Sequence, residues 1–348
     1  MPDSAPRILV IRRDNIGDLV CTTPLVRALR EKLPQAWLGM LVNSYNAPVI
    51  RSNPDLDAVY AYTKAKHRAP GSGPLRIYWE RLRMILRLRA MKLDYAILAA
   101  PGHQASALRF ARLVRPRHIV GYADPQGVID MALPLPSGEP LHQVESVFAL
   151  GRFFGIDTPP PAPVLNADPA IAARLAALLP LPQGKPLVGL HVSAREADRR
   201  WPPQHFIRLG RELIARHGCA VMLTWAPGDG GNPHFPGDDR LARDIAAAID
   251  SPDLLACPTP DLETLCAAIS LCDLQISSDG GPVHLAAGLG KPVLCFFGRE
   301  SPAKWYPWGV PHALIRKPSR QVADITVEET LDEFAGLWQR SRAEGRAS

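Results

Sequence analysis

Short apolar runs alternate with amphipathic stretches from residue 7 onward, stop at a proline cluster, and begin again beyond it. No other feature limits the possible folds of this chain so strongly. In the first half, 7–12, 37–43, 57–62, 94–99 and 117–121 read as strands. Helical periodicity fills 23–33, 75–92 and 104–115, and a further helix covers 141–154. Strand–helix alternation of this kind builds βαβ units, which require a parallel sheet. Then comes Thr158-Pro159-Pro160-Pro161-Ala162-Pro163, a semi-rigid extended spacer. The pattern restarts with strands at 187–192, 219–225, 272–277 and 292–297, separated by helices at 203–217, 238–249, 261–270 and 282–289.

The expected architecture is therefore two α/β domains, 1–157 and 167–326, joined by a linker at 158–166 and followed by a final helical segment, 327–348. Open α/β sheets bind ligands outside the carboxyl ends of their strands. The loops just after strands, and the cleft between two such domains, are where chemistry is expected.

Composition narrows the class. With 47% apolar and 21% charged residues, the 348-residue chain is globular, not disordered, collagenous or coiled-coil. No apolar run reaches 18 residues, so no transmembrane helix is expected, and the start of the chain lacks a signal-peptide pattern. The six cysteines contain no C-x-x-C pair and mostly sit in apolar runs, which reads as reduced, buried thiols of a cytosolic protein. The net charge of +6 is concentrated: residues 64–92 hold nine Lys/Arg and one acid, Glu80. A local basic patch meets phosphates on a substrate, a lipid or a nucleic acid. Few aromatics interleave with it and no nucleic-acid module is recognisable, so no nucleic-acid partner is expected.

Three post-strand loops carry candidate chemistry. In Arg12-Arg13-Asp14-Asn15-Ile16-Gly17-Asp18, Asp18 sits near a helix start, placed either to take a proton from a substrate hydroxyl or merely to favour the helix dipole. Asp14 is a rival carboxylate, expected to be capping or exposed. The loop is not G-x-G-x-x-G, so the dinucleotide fingerprint is absent. In the second loop, His191 to Trp201, Ser193 and Arg199 could bind phosphate oxygens, or the loop could simply be solvated. In the third, Asp279-Gly280-Gly281-Pro282-Val283-His284, two glycines open a helix whose free N–H groups favour a diphosphate. Asp279 could cap that helix or bind sugar hydroxyls, and His284 could equally be a satisfied core histidine.

R-x-D-x-I-G-D near the start, R-x-W-P-x-x-x-F in the middle and D-G-G-P-V-H-L-A-A-G-L-G-K-P-V near the end together resemble glycosyltransferase family 9, the ADP-heptose:lipopolysaccharide heptosyltransferases. The resemblance spans residues 7 to about 300. It implies a GT-B fold of two Rossmann-like domains with parallel sheets facing across a cleft, and a final helix crossing back to the first domain. It implies inverting, metal-independent transfer from a nucleotide diphosphate sugar, with ADP-heptose favoured, and no cofactor. Asp18 matches the catalytic base. Ser193, Arg199, Asp279, Gly280, Gly281 and His284 match donor-binding positions, although Arg199 stands where the family usually has Lys and Gly280 where it has Ser or Thr. Asp229, in a loop longer than usual, is the acid that would contact the nucleoside. A UDP- or GDP-sugar donor, or a non-catalytic nucleotide- or lipid-binding protein, are the alternatives. Lys64, Lys66 and Arg68, with the basic face of helix 75–92 (Arg76, Arg83 and Arg87), are expected to meet a phosphorylated glycolipid acceptor, or anionic lipid, on the cytoplasmic face of the inner membrane. The apolar face of helix 75–92 (Leu75, Tyr78, Leu82, Ile85, Leu86) reads as core, with a lipid-embedded face the alternative, and the chain as a monomer.

Overall fold

The structure, a computed structural model, describes residues 5–62, 74–102, 104–138, 141–229 and 237–347. Lys64, Lys66 and Arg68 lie outside the described residues. The chain forms two compact units, Met1–Val164 and Leu165–Ser348, whose boundary falls directly after the Pro-rich stretch.

The first unit contains β1 (Arg7–Ile11), α1 (Ile16–Val20), α2 (Thr23–Lys32), β2 (Trp37–Asn43), α3 (Ala47–Ile50), β3 (Ala58–Tyr62), α4 (Pro74–Ala90), β4 (Tyr95–Leu98), α5 (Ala105–Val114), β5 (His118–Tyr122), β6 (Met131–Leu133) and α6 (Gln143–Phe148). Its six strands are parallel, in the order β3-β2-β1-β4-β5-β6. Leu9 of β1 pairs with Gly39 on one side and Ala96 on the other. Ile8 to Ile11 are fully buried, because helices cover both faces of a parallel sheet. This is why the central strands read as unbroken apolar runs. The helices contribute one apolar stripe each: Leu25, Val26 and Leu29 from α2, Phe110, Ala111 and Val114 from α5.

The second unit contains α7 (Pro169–Leu178), β7 (Leu187–His191), α8 (Pro203–Ala215), β8 (Ala220–Trp225), α9 (Asp239–Ile249), β9 (Leu254–Pro258), α10 (Leu262–Leu271), β10 (Leu274–Ser278), α11 (Gly281–Gly288), β11 (Val293–Phe297), α12 (Pro302–Trp305), β12 (His312–Arg316) and α13 (Val327–Ala347). The sheet order, β12-β11-β10-β7-β8-β9, repeats that of the first unit. Trp201 fills the core beside Phe206 and Phe296 and donates its indole N–H to the Ile325 carbonyl at 2.8 Å.

One expectation requires correction. The apolar face of α4 is only partly core. Ile85 and Leu88 are buried, but Tyr78, Trp79, Leu82 and Leu86 are exposed. The helix presents one apolar arc to α5 and the sheet and a second to solvent. In the second unit, Phe334 and Leu337 of α13 enter the core, against β12, β11 and α8. Among the described residues, no helix is long and apolar enough to cross a membrane.

Candidate active site

Both sheets have the same topological switch point: chain order reverses between β1 and β4 in one unit and between β7 and β10 in the other. Such a reversal opens a crevice where the loops leave the two strands in opposite directions. The candidate residues lie on these loops.

In the first unit Arg12 ties the loops across the crevice together. Its side chain, 1% exposed, donates to the Ala99 carbonyl on the loop after β4 and to Asp18 Oδ1 on α1. Its Nε lies 3.3 Å from Asp14 Oδ2. Asp18 occupies the third position of α1, where its Oδ2 accepts from the Asn15 N–H at 3.1 Å in a capping box. Each carboxylate oxygen of Asp18 thus has one partner. A carboxylate offers about four acceptor sites, so capacity for a further donor remains, and the side chain is 13% exposed. Base and helix cap, posed as alternatives from the sequence, are therefore compatible. Asp14, expected to be capping or exposed, is neither. Its Oδ2 accepts from Gln104 Nε2 at 2.6 Å, and its carbonyl accepts from Asn43 at 2.8 Å and Asn46 at 2.7 Å. Next to it, Arg13 is buried, donates to the Ser106 carbonyl at 3.1 Å and stacks 3.9 Å over the ring of Tyr62. Burial lowers its pKa from the ordinary arginine value, and Arg81, 4.7 Å over the same ring, adds to this.

In the second unit the crevice gathers charge around Arg199. This guanidinium donates to the Asp279 carbonyl at 3.0 Å, lies 3.3 Å from Asp279 Oδ2 and 3.7 Å from Glu300, and is 22% exposed. In return, the Ser278 hydroxyl donates to the Arg199 carbonyl at 2.7 Å, joining the loops after β7 and β10. Desolvation pushes the Asp279 carboxyl up to about 6; Arg199 holds it lower than burial alone would, while Glu300 and Asp198 add to the rise. Asp198 accepts from the Arg299 N–H at 2.9 Å. Its carboxylate fits because position 298 is glycine: a Cβ there would come within 2.5 Å of Asp198 Oδ2.

Gly280 precedes α11 with φ 157° and ψ −165°, a region essentially reserved for glycine. This turn aims the start of α11 out of the sheet. Pro282 presets the first turn but has no N–H, so Gly281 and Val283 supply donors lacking a helical acceptor. His284 is buried, edge-on to Trp305 at 5.6 Å. The Ser193 hydroxyl accepts from the Ala226 N–H at 2.9 Å, fixing the loop after β7 to the loop after β8. Asp229 lies on that second loop, its carbonyl accepting from Gly237 at 3.1 Å.

A comparison with protein families matches residues 81–334 to glycosyltransferase family 9 (heptosyltransferase). The chain belongs to that family. It is a glycosyltransferase.

Among related sequences, lipopolysaccharide heptosyltransferase 2 of Salmonella typhimurium is 26% identical over 85% of this chain and 84% of its own. Lipopolysaccharide heptosyltransferase 1 of Escherichia coli is 25% identical over 95% and 100%. Among solved structures, a family 9 glycosyltransferase from Veillonella parvula superposes with a TM-score of 0.80 at 17% identity, covering 98% of this chain and 99% of its own. The E. coli ADP-heptose lipopolysaccharide heptosyltransferase II gives 0.76 at 20%, covering 97% and 99%. The fold class is GT-B, two doubly wound units in one chain.

In this glycosyltransferase Arg199 contacts Asp279 directly, and Gly280 and Gly281 follow at the start of α11, whereas Ser193 is bonded to Ala226 and His284 packs against Trp305. Asp18 lies on the loop after β1 in the other unit. Sequence reasoning missed Arg12, Arg13 and Gln104, which fix the Asp18 loop, and Asp198 and Glu300, which face Arg199. One signal for Arg12 was available: an arginine directly after a fully apolar strand, on a loop already carrying two aspartates.

Proposed function

We propose that this enzyme transfers a heptose from ADP-heptose to a phosphorylated glycolipid of the lipopolysaccharide-core type, at the cytoplasmic surface of the membrane and with inversion at the anomeric carbon. The observation that carries the reading is the convergence of Arg199 and the start of α11 on one crevice, a place suited to a diphosphate. The comparisons support it: the relatives are lipopolysaccharide heptosyltransferases, and a related E. coli heptosyltransferase is solved with ADP-2-deoxy-2-fluoro heptose, with a TM-score of 0.72 at 21% identity.

In this reading Asp18 accepts the proton of an acceptor hydroxyl. The oxygen attacks the anomeric carbon on the face opposite the diphosphate, the carbon–oxygen bond to phosphate breaks, and ADP leaves. Arg199 and the N–H groups of Gly280, Gly281 and Val283 take up the growing negative charge, the role a divalent metal has in other transferases. Arg12 holds Asp18 in one orientation and does not touch substrate.

The test is thermal stabilisation by ADP, UDP, GDP and CMP, with and without EDTA. A ligand at 100 times its dissociation constant adds ~2.7 kcal/mol. Selective stabilisation by ADP, indifferent to EDTA, is expected. Selectivity for UDP or GDP would replace the donor, a reading that the missing hydroxyl at Gly280 favours. Asp18→Asn should slow turnover by ~10²–10⁴ and leave ADP stabilisation intact. Equal loss of both would remove Asp18 from the chemistry.

A further inference from the structure

The helix α4 is built unlike the other helices of its unit. At 3.6 residues per turn its side chains fall into three sectors. Ile85, Leu88 and the half-buried Met84 face the core and α5. Tyr78, Leu82, Leu86 and Trp79 occupy a second, solvent-facing arc of roughly 100°. Tyr78 and Trp79 are 66% and 62% exposed, unusual for the two most amphipathic aromatic side chains in a folded protein. Beyond that arc lies a third sector with Arg76, Arg83 and Arg87. Glu80 answers only Arg76, at 2.8 Å. Arg83 and Arg87 have no ion-pair partner among the described residues. The neighbouring α5 adds exposed Arg109, Arg112 and Leu113 and no acid.

A soluble surface does not ordinarily expose two aromatics and two leucines side by side along one helix. The pattern matches a helix lying in a lipid interface, with aromatics and leucines at the acyl boundary and arginines reaching anionic headgroups. A second copy of the chain fits less well, because a two-fold contact through this arc would bring the arginine sectors of both copies together.

We infer that the exposed arc of α4 is an interfacial membrane-binding face that inserts Tyr78, Trp79, Leu82 and Leu86 into a bilayer rich in anionic lipid. The inference rests on the reading above only for its choice of partner.

The experiment is flotation of the full chain with vesicles of phosphatidylethanolamine and phosphatidylglycerol, against phosphatidylcholine alone, at low and moderate salt. The wild type is expected to float with anionic vesicles and to remain partly bound at moderate salt. The triple variant Trp79→Ser/Leu82→Ser/Leu86→Ser is expected to lose roughly tenfold or more in partitioning. Arg83→Glu/Arg87→Glu is expected to lose the preference for anionic lipid. Thermal midpoint and ADP stabilisation, measured on the same samples, verify that each variant is folded; loss of ADP stabilisation in the wild type alone would count against the donor reading and leave this one standing. The inference is overturned if the wild type does not float, if the triple variant floats like the wild type, or if binding is purely salt-sensitive and indifferent to the apolar substitutions. It is overturned equally if the wild type is a dimer that the triple variant converts to monomer, or if RNA in place of vesicles binds in a manner dependent on Trp79.

Discussion

Replacing Arg199 by Ala should produce a defect whose size depends on pH, and the structure indicates how much. At 3.3 Å, the Arg199–Asp279 ion pair is worth about 5 kcal/mol at an effective dielectric of 20 and about 1.3 kcal/mol in water. Asp279 is 5% exposed and Arg199 22%, so the true figure lies between these bounds. An opposite charge at this range lowers a carboxyl by about 1–3 pKa units. Asp279 already stands at about 6 with Arg199 present. Without it, the carboxyl should climb by about that amount, to the neutral range or above. Near pH 6 the variant therefore loses a cation and an anion together, and the diphosphate meets a neutral crevice. As pH rises, Asp279 ionises unpaired, with Glu300 and Asp198 beside it, and repels the leaving group. Relative to the wild type, kcat should fall by ~10²–10³ at the alkaline end, the usual cost of losing a preorganised donor, and by distinctly less near pH 6. With the proposed donor, ADP release from ADP-heptose, followed from pH 6 to 9, measures this. Adding Asp279→Asn to the Arg199→Ala variant should flatten the profile and recover rate at high pH. A defect of constant size across pH, unchanged by that second substitution, would refute the coupling of these two groups.

Three further outcomes are expected. Burial lowers His191 to about 4, so between about pH 4 and 6.5 the unfolded chain binds a proton that the folded chain does not. This contribution, on the order of 3 kcal/mol by that shift, is fully present above 6.5 and lost as pH falls to 4. Asp279 acts oppositely, its contribution being lost as pH rises towards 6. Denaturant titrations of His191→Asn should therefore show stability falling across this window where the wild type is nearly level. Gly280→Ala should cost about 1–3 kcal/mol from backbone conformation alone, since the added Cβ would meet no atom closer than 3.9 Å; an unchanged thermal midpoint would contradict the φ of 157°. All six cysteines are buried and free, with burial pushing Cys21, Cys266 and Cys272 to about 12 and Cys219 and Cys257 to about 11. A thiol reagent should label none in the native chain at pH 8 and all after denaturation.

What could be read from the sequence follows what is buried on both sides. The central strands β1, β2, β4, β7, β8, β10 and β11 are buried at all but at most one position and were legible. β6, β9 and β12, which the periodicity did not reveal, are all edge strands. β6 is three residues long, β9 alternates and ends in Pro258, and β12 carries His312 and Arg316 at its ends. Edge strands need less apolar surface and so leave a weaker trace. At the candidate site, Asp18, Arg199 and the Asp279–His284 stretch could be singled out from sequence because they lie on loops that follow strands. Arg12, Arg13 and Gln104 were not, since each is defined by a partner about 90 residues away. Asp198 meets Arg299 across 101 residues. For α4, periodicity revealed an amphipathic helix but not that its apolar residues divide into a buried arc and an exposed one.

The two units share one strand order, yet they are not interchangeable halves. Arg12 plugs the first crevice with the chain's own guanidinium, held by Ala99, Asp14 and Asp18. The matching crevice in the second unit keeps its arginine at the rim, partly open to solvent. Duplicated topology therefore does not mean duplicated occupancy. On the proposed reading, a calorimetric titration with ADP should saturate at one nucleotide per chain.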